Sequence, residues 1–109
     1  MLNSKYKLRY LPVFYEDLEK AVSYIAVSLK NIEAANSFIN DVEKSIKNRL
    51  PVAESFEQYE SHKERRYPYY RIYVGNFIIY YVVIDEDPAE KVMEVRRLLY
   101  NKQNQKKHI

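Results

Sequence analysis

The chain has 109 residues, 47% of them apolar, with 1 Gly, 4 Pro and no Cys. That is enough for one compact domain with its own core, it is too short for two, and the missing thiols exclude disulfides and thiolate metal sites. The net charge of +3 is mildly basic, and a lysine-coated surface gives that value as readily as a nucleic-acid-binding one.

The opening MLNSKYKLRYLP holds no apolar run long enough for a signal peptide or a membrane span. A cytoplasmic protein is therefore expected, a single domain over residues 1–109 with about 105–109 as a basic frayed tail. Tyr6 to Leu11 alternates, with Tyr6, Leu8 and Tyr10 on one face, and predicts a first strand. Pro12 suits the first turn of a helix, where its missing N–H is no loss. Phe14, Leu18, Ala21, Val22, Ile25 and Leu29 then follow helical spacing. Asn31 is a suitable N-cap for a second helix, with Glu33 in its first turn. Its apolar stripe is Ala35, Phe38, Ile39, Val42, Ile46 and Leu50, and Pro51 stops it. The short connection makes an antiparallel helical hairpin, whose two stripes need a sheet to cover.

From Val52 to Pro68 the pattern lapses, and the segment reads as an ordered polar connection anchored to the core by Phe56. Three β-rich runs follow. The joint between the first two is Gly75-Asn76, a pair suited to a two-residue hairpin turn. The next joint is the acidic stretch Asp85 to Glu90, containing Pro88. The expected fold is α+β: a strand, an antiparallel helical hairpin and a three-stranded antiparallel meander, with the helices on one face of a small sheet.

Strand parity assigns the faces. Tyr70, Ile72 and Val74 belong against the helices, and Tyr69, Arg71 and Tyr73 opposite. Ile79, Tyr81 and Val83 share one face of the next strand, and Ile78, Tyr80, Val82 and Ile84 the other. In the last strand Met93, Val95 and Leu99 fit the core face, with Glu94, Arg96, Leu98, Tyr100 and Lys102 opposite. The same parity places Arg97 in the core, where a lone charge is costly. A bulge near Arg96-Arg97 or an Arg97 reaching the sheet rim would resolve this. The open face then shows Arg71, Tyr73, Tyr80, Tyr100 and Lys102, which are cations and phenols suited to phosphates or stacked bases. The His62 and His108 positions and the absence of metal-ligand spacing give no support to a metal or other cofactor.

The order of these short motifs resembles the RelE/ParE superfamily of bacterial toxins over nearly the whole chain. YKLRYLPVFYEDLEKAVSYI is similar to the family's strand and acidic helix, YYRIYVGNFIIYYVV to its central hairpin, and RRLLYNKQN to its closing strand. The resemblance implies a toxin neutralised by a cognate antitoxin. RelE-like members cleave mRNA on the ribosome, and ParE-like members inhibit DNA gyrase. Arg71 matches a basic position of the RelE-like site. Tyr73 stands where a second basic residue often sits, Ile78 where an Arg would be, Tyr100 for a His, and Lys102 for an Arg.

The expected function is growth arrest by ribosome-dependent mRNA cleavage without a metal. The alternatives are a gyrase inhibitor acting by protein binding or a degenerate non-toxic member. In the nuclease reading the 2′-hydroxyl attacks the adjacent phosphate, Arg71 and Lys102 stabilise the phosphorane, and Tyr100 or Tyr73 moves a proton or orients a base. Glu57 or Glu60 would serve as base if the loop folds over the sheet. Lys63, Arg65, Arg66, Arg96 and Tyr80 would hold the RNA. Tyr15, Tyr24, Phe38, Tyr6 and Tyr10 are the candidate contacts for the antitoxin.

Overall fold

The computed structural model describes residues 5–59, 66–102 and 108–109. Strand β1 (Tyr6–Tyr10) leads to helix α1 (Pro12–Ser23), which continues as a π-helical turn over Tyr24–Ser28. Helix α2 (Ile32–Arg49) returns and ends in a 3-10 turn at Leu50–Val52. Strands β2 (Gln58–Tyr59), β3 (Tyr69–Val74), β4 (Phe77–Ile84) and β5 (Lys91–Tyr100) complete a five-stranded sheet of order β1-β5-β4-β3-β2. β1 runs parallel to β5, and the other neighbours are antiparallel. The α+β architecture expected from the sequence is the one observed. No helix among the described residues is long and apolar enough to cross a membrane.

Local chemistry explains the joints. Pro12 opens α1, and the Leu11 N–H just before it still bonds to Val95 O at 2.9 Å. Asn31 caps α2 by accepting the Ala34 N–H at 2.9 Å. Gly75 takes the left-handed φ of 56° that the β3–β4 turn requires. The main core lies between the helices and one sheet face. Phe14 and Ala21 of α1 and Phe38, Val42 and Ile46 of α2 meet Tyr6, Tyr70, Ile72, Ile79, Tyr81 and Val95.

Several expectations need correction. Leu29 is 56% exposed, because the π-helical turn bonds its N–H to Tyr24 O and carries it off the apolar stripe. Ile39 lies at the border of the α2 stripe and is also exposed. The connection after Val52 contains a short strand, β2, which pairs Gln58 with Tyr70 and Tyr59 with Tyr69. Phe56 does not enter the core. It is 47% exposed and lies on the Arg49 guanidinium, 3.5 Å from ring centroid to Cζ. Of the tail over 105–109 expected to fray, residues 105–107 lie outside the described residues, and Ile109 is buried in the cluster with Tyr69, Ile78 and Leu99.

The main departure is in β5. Tyr80 pairs with Arg97 while Tyr81 pairs with Val95, so Arg96 is an extra, bulged residue. A bulge inverts the alternation beyond it. Leu98, expected on the far face, joins the helical core, and Leu99 joins the cluster on the opposite face. Tyr100 moves with Leu98: it pairs with Phe77, whose ring packs on Phe38 of α2 with centroids 4.9 Å apart. Arg97 also reaches the rim. β1 pairs with β5 only as far as Val95, and Asp17 of α1 closes the edge beyond. Its carboxylate accepts Arg97 Nε at 2.8 Å, Arg97 Nη2 at 2.9 Å and the Leu98 N–H at 3.0 Å.

Candidate functional site

The face of the sheet away from the helices is not the open surface that strand parity suggests. Tyr69, Ile78, Tyr80, Val82, Leu99 and Ile109 form a second buried cluster there, with Tyr59, Tyr67 and Ile84 at its margin. Tyr80, expected to be exposed, is 1% exposed. It lies on a central strand between the rings of Tyr59 and Tyr69, with centroids 5.7 and 5.8 Å away. Burial pushes its phenol up to about 12, so it stays protonated near neutral pH.

The cations on this face divide into two groups. Arg96 Nε bonds to Glu94 at 2.8 Å, and Arg9 Nε reaches the other oxygen of the same carboxylate at 2.7 Å. Glu94 is buried between them. Arg97 is held by Asp17, a bond that drives the guanidinium pKa further up. Arg66 pairs with Glu86 at 3.6 Å. These guanidinium groups are neutralised within the chain. Arg71 differs: its guanidinium lies over the rings of Tyr59 at 4.8 Å and Tyr73 at 5.8 Å, with no ion pair among the described residues. Tyr73 is 62% exposed. Arg49 is the other described arginine without an ion pair. It donates to Tyr81 Oη at 2.9 Å and to Arg71 O at 3.1 Å.

The structure therefore brings Arg71 and Tyr73 together and parts them from Tyr100, which sits on the helical side. Lys102 is an exposed turn residue beyond β5. Lys63, Arg65 and Glu60 lie outside the described residues, and Glu57 is exposed next to β2. Tyr100 instead borders a cleft of about 430 Å³ between α1 and the end of β5, together with Asp17, Lys20, Tyr24, Phe77 and His108.

A protein-family model described as ParE toxin of type II toxin–antitoxin system, parDE, matches residues 8–104. The chain belongs to the ParE toxin family. No curated protein matches it. The match runs from within β1 through the end of β5 of this ParE-family fold, so the resemblance read from motif order holds at the level of the superfamily. Residues that sequence reasoning missed in this ParE-family chain are Tyr59, Arg49 and Asp17. Asp17 had a signal: it falls three residues after Phe14 and four before Ala21, an acid on the apolar stripe of α1. Tyr59 and Arg49 had none, because their roles depend on a two-residue strand and a helix end meeting at β3.

Proposed function

We propose that this ParE-family chain is the toxin of a type II toxin–antitoxin pair and that it arrests growth by binding a protein, DNA gyrase, not by cutting RNA. One observation carries the choice. The bulge at Arg96 separates Arg71 and Tyr73 from Tyr100, while Arg96 and Arg97 are tied to Glu94 and Asp17. Attack of a 2′-hydroxyl on its phosphate needs a charge-stabilising cation and a proton carrier converging on the same few ångströms. Beside Arg71 among the described residues stand the rings of Tyr59 and Tyr73 and its cross-strand partner, the buried Tyr80, and it has no ion-pair partner there. A protein-binding toxin needs no such convergence; it needs exposed aromatic and Arg anchors.

The cognate antitoxin is the second partner of this reading. Tyr6 and Phe38 are core residues at 4% and 8% exposure, which removes them as docking contacts, and Tyr10 is half-buried. Tyr15 and Tyr24 on α1 and its π-helical turn are more than half exposed and suit an amphipathic partner segment.

The test pairs two assays on purified protein. Inhibition of gyrase supercoiling, with an intact message by primer extension on programmed ribosomes, is the expected outcome. Ribosome-dependent cuts in the message with normal supercoiling would return the assignment to the nuclease.

A further inference from the structure

We propose that the unpaired edge of β3 is a docking strand for an extended acidic segment of the protein target, a surface that rests on the protein-binding reading above. β2 covers β3 only at Tyr69 and Tyr70, so Arg71–Val74 has no strand on that side among the described residues. Val74 pairs with Phe77 across the two-residue turn, and the alternation of an antiparallel ladder then aims the backbone groups of Arg71 and Tyr73 outward. Arg71 O confirms the direction, since it accepts from Arg49 beyond the edge. Tyr73 thus offers an N–H and a C=O to an added strand, the main-chain mode by which sheets take extended peptides.

Charge and side chains specify the occupant. Arg9, Arg66, Arg96 and Arg97 each have a carboxylate partner. The described arginines that have none, Arg49 and Arg71, both flank this edge, Arg71 on the outer face and Arg49 at the helical side. Each guanidinium sits over an aromatic ring, Arg49 Cζ 3.5 Å from the Phe56 centroid and Arg71 Cζ 4.8 Å from that of Tyr59. A ring contact of that kind leaves the edge N–H groups of Arg71 to grip a carboxylate in bidentate fashion, while Arg49, whose Nη1 is taken by Tyr81 Oη and Arg71 O, offers its remaining N–H groups. An incoming strand alternates its side chains between the two faces. Acids of opposite parity on that strand meet Arg71 on one side and Arg49 on the other. The exposed rings of Phe56 and Tyr73 supply the apolar contact that anchors such interfaces.

The edge is tested without gyrase, so its failure and that of the target assignment are separable. Amide spectra of the ¹⁵N-labelled protein are recorded against a ten-residue alternating Glu–Val peptide, a Lys–Val peptide of the same length and a ten-nucleotide single-stranded RNA. The expected result is saturable binding of the Glu–Val peptide with shifts centred on Arg71–Val74. Binding weakens at least about tenfold in Arg71→Gln and in Tyr73→Ala, weakens with added salt, and is unchanged in Lys44→Gln on the far side of α2. Equal binding of the Lys–Val peptide, tighter binding of the RNA at the same amides, shifts confined to other strands, or no binding would each overturn the proposal. Should the peptide bind as expected while gyrase stays active, the docking strand stands and only the identity of the target falls.

Discussion

Replacing Asp17 with Asn removes the charge that holds the C-terminal half of β5 and keeps nearly the same shape. The Asp17 carboxylate accepts two bonds from Arg97 and one from the Leu98 backbone, at 2.8–3.0 Å. The side chains of Asp17 and Arg97 are 8% and 20% exposed. Breaking a fully buried pair by neutralising one partner costs about 3–5 kcal/mol, because the other charge is left without compensation. Arg97 retains some water, which lowers the figure to about 2–4 kcal/mol. For a domain of this size that is a large share of the total stability and a fall in Tm of about 8–16 °C. The assay is thermal melting followed by circular dichroism at neutral pH, with Arg97→Met and the double variant completing a cycle. Non-additivity of more than about 1 kcal/mol is expected for groups in direct contact. A drop under about 3 °C, or additive single effects, would refute the claim that Arg97 is committed to Asp17.

Three further outcomes follow from the same geometry. Tyr100→Phe and Lys102→Ala should leave growth arrest intact, whereas Arg71→Gln should relieve it with a melting temperature close to that of the unmodified protein; expression in cells with a plating assay checks both. Gly75→Val should destabilise by about 1–2 kcal/mol from the left-handed φ alone, since a Cβ there meets nothing within 4 Å, and Gly75→Asn should cost less; chemical denaturation measures the difference. At alkaline pH the folded phenols of Tyr80 and Tyr6, at about 12 against an ordinary 10.0, hold protons that the unfolded chain releases. Their contribution is complete below pH 10 and is lost as pH rises from 10 towards 12, so Tyr80→Phe should flatten the fall in Tm across that window.

The fold was legible where period and punctuation agreed. Pro12, Asn31 and Gly75 each mark a joint for a local reason that tertiary packing did not override. The faces of β3 and β4 also followed from parity alone, because both strands are regular. β5 was different. Its single extra residue exchanges the faces of Leu98, Leu99 and Tyr100, and with them the membership of the candidate site. Two misfits in the sequence pointed to the answer: an Asp on the apolar stripe of α1 and an Arg at a core parity of β5. Each is costly alone, and together they neutralise one another across eighty residues of chain. Pairing them required knowing that α1 lies along the β5 edge, which no local pattern encodes. The Tyr59–Arg71–Tyr73 group was hidden for a related reason, since β2 is too short to carry a periodic signal.

Plasmid topology soon after induction tests most directly whether growth arrest comes from a bound protein. Plasmid DNA taken within minutes of expression and resolved on chloroquine gels should show loss of negative supercoiling while total message stays full length. Normally supercoiled plasmid accompanied by discrete cuts within translated messages would contradict the protein-binding mechanism and place the chemistry on RNA.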